Sequence, residues 1–195
     1  MKQPIQFKIA RAVEKYYADL QLIIESSPNQ SNWACKKTCS FCCNGPIVIT
    51  SSEVLHIARK MESDIEPLIN LEAHLKSYLD CVSKCKYYFE HSIPCVFLKD
   101  EICLIYKIRP SVCRKYFSLN RNNCIKDRPI STFTDPYCMK NGKNLLSTFR
   151  TQLTKLGLPE SMEDFHVGIF NIFFNPNSSK GGEHYGEKNR RTISC

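Results

Sequence analysis

Apolar residues recur at helical spacing over residues 5–25, where Ile9, Val13, Tyr16, Leu20 and Ile23 stand three or four positions apart. Charged and polar residues fill the gaps, which predicts an amphipathic helix whose apolar stripe faces a core. The period then breaks. Ser26-Ser-Pro-Asn-Gln-Ser-Asn32 is polar and reads as a loop. Ile47-Val-Ile-Thr50 is a short β-prone run. It leads directly into Thr50-Ser-Ser-Glu53, the spacing of a capping box with Thr50 as N-cap and Glu53 at its third position. A helix to about Met61 follows, with Leu55, Ile57 and Ala58 as packing residues. Leu68, Leu71, Leu75 and Leu79 predict another from about Glu66 to Glu90.

Beyond residue 93 the apolar runs shorten. Pro94-Cys-Val-Phe-Leu98 and Ile102-Cys-Leu-Ile-Tyr106 flank Lys99-Asp-Glu101 and predict a hairpin whose turn carries no Gly. Arg109-Pro110 opens a helix, since Pro is tolerated in a first turn. Cys124 and Cys138 fall in a loop-rich stretch with Pro129 and Pro136. A helix from about Lys143 to Lys155 ends near Gly157, a C-cap residue. Ser161-Met-Glu-Asp164 starts a last helix to about Phe174. Its Phe165, Ile169, Phe170, Ile172, Phe173 and Phe174 cover more than one face, which implies burial. From Asn175 the chain is polar and charged and is expected to form a disordered tail.

Composition adds little to this picture except in its cysteines. The chain has 195 residues, 43% of them apolar, and suits one domain over residues 1–174 with a tail at 175–195. No run nears the ~18 apolar residues of a spanning helix. The N-terminal residues mix charge into their apolar positions, unlike a signal peptide. A cytoplasmic location follows as the expectation, and there thiols stay reduced. The 12 cysteines then indicate metal or redox chemistry before a disulfide framework.

Cys35-Lys-Lys-Thr-Cys39-Ser-Phe-Cys42-Cys43 packs four thiols into nine residues. Short spacings let one loop deliver several sulfurs to one centre. Adjacent side chains diverge on helices and strands. Cys42 and Cys43 therefore need a sharp backbone turn, or each serves a different metal or ligand. Cys81 and Cys85 share a helix face and read as core residues ahead of ligands. His91, four residues before Cys95, is a weaker ligand candidate. His56, His74, His166 and His184 have no comparable placement.

The formal charge of +8 counts thiols as neutral. Eight thiolates on two zinc ions would leave about +4. Between Cys103 and Ile130, Lys107, Arg109, Arg114, Lys115, Arg121, Lys126 and Arg128 stand against Asp127 alone. Such a run neutralises an anionic centre or forms a solvated face; nucleic-acid or protein binding is the sharper alternative.

The ordered set Cys35, Cys39, Cys42, Cys43, Cys95, Cys103, Cys113 and Cys138 resembles the YkgJ-type cysteine-cluster family of zinc- or iron-chelating domains. CKKTCSFCC, IPCVFL, ICLIYKIRPSVCRKY and, more loosely, DPYCMKNGKNLL carry the resemblance over residues 35–146. The family's usual first spacing is C-x2-C, and here it is C-x3-C. The resemblance implies these eight cysteines as ligands of zinc or an iron–sulfur cluster, which all-cysteine sites suit equally. Arg114, next to Cys113, is then expected to stabilise the negative centre, and Arg109 to position its helix. Flagellin lysine N-methylase is similar over the cysteine motif, which implies an iron–sulfur methyltransferase as the alternative. Cys35-x3-Cys39-x-Phe41-Cys42 also looks like the radical S-adenosylmethionine signature, with Gly181-Gly-Glu183 like another of its motifs; the repeated βα units of those enzymes are missing. The expected architecture is a mostly helical α+β fold, with helices around a cysteine-ligated centre, a small hairpin and a loop-rich metal-binding region.

Overall fold

The structure, a computed structural model, describes residues 3–36, 39–64, 70–85, 93–120, 124 and 134–175. His91, Arg121, Lys126, Asp127, Arg128, Pro129, Cys195 and the expected tail from residue 176 on lie outside them. The architecture is mostly helical α+β. Helix α1 (Ile5–Glu25) buries Ile9, Val13, Tyr16, Leu20 and Ile24. Ile24 takes the place expected for Ile23, because four residues past Leu20 lies nearer to a full 3.6-residue turn.

Strand β1 (Val48–Thr50) leads into α2 (Ser51–Asp64). The capping box is present: Glu53 N donates to Thr50 Oγ1 at 3.3 Å, and Glu53 Oε2 accepts from Thr50 N at 3.5 Å. Helix α3 (Leu71–Lys84) ends before Cys85, whose backbone is extended. The predicted extensions to Glu66 and Glu90 fall outside the described residues. Cys81 is exposed and Cys85 half-buried; Leu75, Tyr78 and Val82 form the buried stripe instead.

The hairpin is β2 (Leu98–Lys99) against β3 (Ile102–Cys103), in the register Leu98↔Cys103 and Lys99↔Ile102. Asp100 and Glu101 turn it with φ of 50° and 64°, the left-handed pair that a two-residue hairpin demands and that Gly usually supplies. One helical turn, α4 (Ser111–Arg114), follows Pro110.

Helix α5 (Pro136–Lys155) starts seven residues ahead of the expected Lys143 and takes Cys138 out of the loop predicted for it. Asp135 Oδ1 accepts from Tyr137 N at 2.9 Å and Cys138 N at 3.1 Å, with Pro136 in the first turn. At the other end Gly157 has φ of 65°, as a helix C-cap requires. Residues Met162–Asp164 form strand β4, where a helix start was expected. Their backbone pairs antiparallel with β1, Val48 facing Asp164. Ser161 O accepts Ser51 N at 2.8 Å, and Asp164 becomes the cap of α6 (Phe165–Phe174), its Oδ1 accepting Val167 N at 2.8 Å.

Three apolar groups hold these pieces. Tyr16 stacks on Phe149 at 4.2 Å and 2°, joining α1 to α5. Leu20, Ile24 and Cys138 pack with Trp33 and Phe117. The largest group gathers Ile49, Val54, Ile57, Leu75, Phe97, Phe165 and Ile169 from α2, α3, α6 and the hairpin approach. Gly168 allows the closest approach there, since a Cβ would lie 2.7 Å from Val54 Cγ1 and 2.8 Å from Glu163 Oε2. No helix among the described residues is long and apolar enough to cross a membrane.

Candidate metal centre

The cysteine loop turns where the sequence required it to. Phe41–Cys43 is one 3-10 turn, with Cys43 N donating to Ser40 O at 2.8 Å. The turn brings the side chains of Cys42 and Cys43 into hydrogen-bonding contact. Cys43 O then accepts Cys95 N at 2.7 Å, which ties the loop to the segment before the hairpin. Glu101, on the hairpin turn, accepts a hydrogen bond from Ser40 Oγ and ties the two a second time. Leu104 N donates to Phe97 O at 2.8 Å, closing the hairpin over Phe97. Cys43, Cys95, Cys103 and Cys113 thus all lie in or against the largest apolar group.

These thiols stand in a dry neighbourhood and act on one another. Burial pushes Cys95 up to about 12. It raises Cys103 and lifts Cys113 well above the ordinary thiol range, with Cys95, Cys42 and Cys103 adding repulsion. Cys42 keeps an exposed face but is raised by its contact with Cys43 and then by the protein around it. All four are therefore neutral thiols at neutral pH until something draws their protons away.

Arg109 is the cation among them. It acts on Cys42, Cys103 and Cys113, in each case favouring the thiolate. Its guanidinium lies over the Tyr106 ring at 3.8 Å, and its Nε is buried with no hydrogen-bond partner among the described residues. Arg114 also interacts with Cys113, but its hydrogen bonds go to backbone. It donates from Nε to Arg109 O and from Nη2 to Lys107 O, both at 2.8 Å, and lies over the Tyr17 ring at 4.3 Å. Arg109 acts on the thiols, and Arg114 braces the backbone that carries it while interacting with Cys113.

Glu53 sets the position of Cys113 from below. Its Oε1 accepts Ser111 N at 3.0 Å and Tyr17 OH at 3.2 Å, so the capping residue of α2 also holds the start of α4. Burial raises its carboxyl, and the hydrogen bonds from Ser111, Thr50 and Tyr17 oppose that rise.

Cys35 and Cys39 form a neighbouring pair. Cys35 Sγ accepts Ser118 N at 3.2 Å, burial raises its thiol, and Cys39, Cys42 and Cys124 act on it. Cys138 packs in a different apolar group, with Trp33 and Phe117. It is fully buried beside Leu20 and Ile24; burial, then Asp135, pushes its thiol up to about 11. His56 packs edge-on against Tyr17 at 6.1 Å, in a different neighbourhood.

One residue was passed over on sequence grounds. His166, on the first turn of α6, is fully buried, and its Nε2 lies 3.2 Å from Cys95 Sγ. It is 71 residues from Cys95 and belongs to no spacing motif. The pairing of β1 with β4 and the packing of α6 against α2 and α3 bring it to the cluster.

The donor chemistry fits zinc or an iron–sulfur cluster: soft thiols in a dry setting, beside a guanidinium that thiolates would neutralise. As the side chains stand, no three of the described Cys, His, Asp and Glu side chains meet closely enough to hold one ion. Closing such a shell needs rotation of cysteine side chains among their staggered positions. No curated protein and no solved structure matches the chain. A family model does match, over residues 34–138, a span that takes in every cysteine from Cys35 to Cys138. The chain belongs to the CxxCxxCC family, described as a putative zinc- or iron-chelating domain.

Proposed function

We propose that this protein binds zinc or iron through the thiolates of Cys42, Cys43, Cys95, Cys103 and Cys113, with Cys35 and Cys39 completing a neighbouring position. One observation carries the reading. Cysteines from four separate chain segments are gathered in and around one apolar group, beside an Arg109 Nε that has no partner among the described residues. Neutral thiols leave that guanidinium without a counter-charge; thiolates on a metal supply it. Cys138 is left out of this ligand set because it packs in a different group. The bound metal would supply cross-links between the Cys42–Cys43 turn, the hairpin and α4, which otherwise meet through few regular backbone bonds.

Each ligand must lose a proton as the metal enters, so uptake is expected to release protons and to weaken as pH falls. Arg109 would balance the resulting negative charge, and Glu53 would hold α4 so that Cys113 reaches the centre. A reducing compartment suits this chemistry. The test is anaerobic purification with elemental analysis and a visible spectrum. Zinc or iron in stoichiometric amount is expected, with broad absorbance near about 400 nm if iron–sulfur is present. A well-folded chain that retains neither metal and cannot be reloaded would overturn the reading.

A further inference from the structure

We propose that His166 is itself a ligand of this centre, binding metal through Nε2 beside the thiolate of Cys95. The proposal rests on the metal reading above and adds a nitrogen donor to a set so far made only of sulfur.

Geometry carries it first. Two ligands on one tetrahedral zinc, with zinc–sulfur near about 2.3 Å and zinc–nitrogen near about 2.0–2.1 Å, stand roughly 3.6 Å apart. His166 Nε2 and Cys95 Sγ stand at 3.2 Å. A metal entering between them needs the pair to open by only a few tenths of an ångström. A thiol–imidazole hydrogen bond also fits 3.2 Å, so the rest of the histidine's surroundings must decide.

Those surroundings orient the ring from behind. Asp164 Oδ1 lies 3.7 Å from His166 Nδ1. The carboxylate is fixed in turn: Tyr78 OH donates to Oδ2 at 2.9 Å, and Val167 N donates to Oδ1 at 2.8 Å. A carboxylate on the Nδ1 side favours the tautomer with its proton on Nδ1, leaving the Nε2 lone pair aimed at the thiol. At 3.7 Å the contact is too long for a hydrogen bond, and a small turn of the ring would close it into the carboxylate–histidine arrangement that holds metal-bound imidazoles. The ring itself is clamped by Tyr78 at 4.2 Å and Phe165 at 5.4 Å. It is fully buried, and it presents no face to water that would explain a polar ring here.

Topology makes the placement a property of the fold. Strand β1 begins five residues after Cys43, and Val48 pairs with Asp164. The ladder therefore delivers Asp164, and His166 two residues later, to the same end of the molecule as the Cys42–Cys43 turn. Asp164 has three tasks at one point: it ends β4, caps α6 and backs the imidazole.

The test uses the full chain loaded with zinc alone. X-ray absorption at the zinc edge is expected to show a nitrogen neighbour near about 2.0–2.1 Å beside sulfur near about 2.3 Å, and His166→Gln to lose that nitrogen. Asp164→Asn should keep it but weaken zinc affinity on the order of 10–100-fold. If His166→Gln fails to fold, the wild-type chain labelled with 15N-histidine and loaded with cadmium-113 decides: a cadmium–nitrogen coupling on Nε2 of His166 is expected. Stoichiometric metal with all-sulfur coordination and no such coupling overturns the role of His166 while leaving the metal reading standing. A chain that takes up no metal removes both.

Discussion

Asp135 caps one helix and Cys113 lies within another, and their polar atoms are satisfied to different degrees. Asp135 is fully buried, yet its two oxygens accept from Ser27 Oγ at 2.6 Å, Trp33 Nε1 at 2.7 Å and Asn29 Nδ2 at 3.2 Å, as well as from the amides of Tyr137 and Cys138. Burial opposes its charge, but these bonds outweigh burial and hold the carboxyl near about 2. The thiols around Cys113 show the reverse. Burial keeps them protonated, and the guanidinium beside them has no bonded partner for its Nε among the described residues. The Asp135 carboxylate is closed in by its own neighbours. The thiol end gathers its cysteines in and against one apolar group and leaves Arg109 Nε without a partner among the described residues, as the proposed metal site would require.

Removing the metal should separate the two ends most. Structural zinc contributes on the order of 10 kcal/mol in small domains. Chelation under reducing conditions is expected to strip hydrogen-exchange protection from residues 39–43 and 95–118, while α1 and α5 keep theirs through the Tyr16–Phe149 contact. Uniform loss over the whole chain would mean that both ends depend on the metal; no loss anywhere would mean that neither does.

Asp135→Ala attacks the other end. It removes the cap of α5 and leaves three side-chain donors without their acceptor, so a loss of about 2–4 kcal/mol in unfolding free energy is expected. Metal content should not change. The acid response has a defined sign. The folded carboxyl titrates below its ordinary 3.8, so this stabilisation is full above about pH 4 and is lost as pH falls through about 2. Urea unfolding of wild type and variant between these values should converge. Curves that stay parallel would detach Asp135 from the acid response.

What could be read in advance follows the range of the interactions. The α1 stripe and the Thr50–Glu53 capping box depend on residues at most four apart, and both are present, the stripe with Ile24 in place of Ile23. Asp135-Pro136 is an equally local helix start, masked by the loop-like Pro129 and Pro136 around it. Strand β4 is three residues of mixed polarity that pair only because β1 needs a neighbour, 116 positions away in the Val48–Asp164 pair. The second task of Glu53, holding Ser111, spans 58 residues. His166 was invisible for the same reason. The cysteine spacings mark chemistry by composition, yet they do not say which thiols share a neighbourhood. Cys138 matches the family more loosely and packs in a different apolar group from Cys43, Cys95, Cys103 and Cys113.

The two arginines sharpen the comparison at single residues. Arg109→Ala should lower metal affinity on the order of 10–100-fold, as expected when a charge-balancing neighbour of a metal site is removed. Arg114→Ala removes two bonds to backbone carbonyls and is expected to cost about 1–3 kcal/mol of stability, with a smaller effect on affinity. Competition with a colorimetric chelator measures the first quantity and denaturant unfolding the second. Equal affinity losses would return Arg114 to the part that its position beside Cys113 first suggested.

The smallest expected effect bears most directly on where the centre ends. Cys138 is fully buried, packs with Leu20 and Ile24, and presents its amide to Asp135. Its thiol, raised to about 11, behaves as a small apolar side chain. Cys138→Ala removes one heavy atom from a packed group, and on the scale of single-methyl truncations this costs about 1 kcal/mol. The amide bond to Asp135 survives because it is made by backbone. Metal content and the metal spectrum should therefore match wild type, whereas Cys113→Ala, which removes a thiol next to Arg109, Cys95 and Cys103, should lose metal. Measured side by side, the two variants turn the comparison into a single ratio. If Cys138→Ala empties the centre as Cys113→Ala does, the two ends of the molecule share one metal site and the separation drawn between them fails. If only Cys113→Ala does so, the cysteine at 138 fits the family's spacing but serves as a core residue of α5.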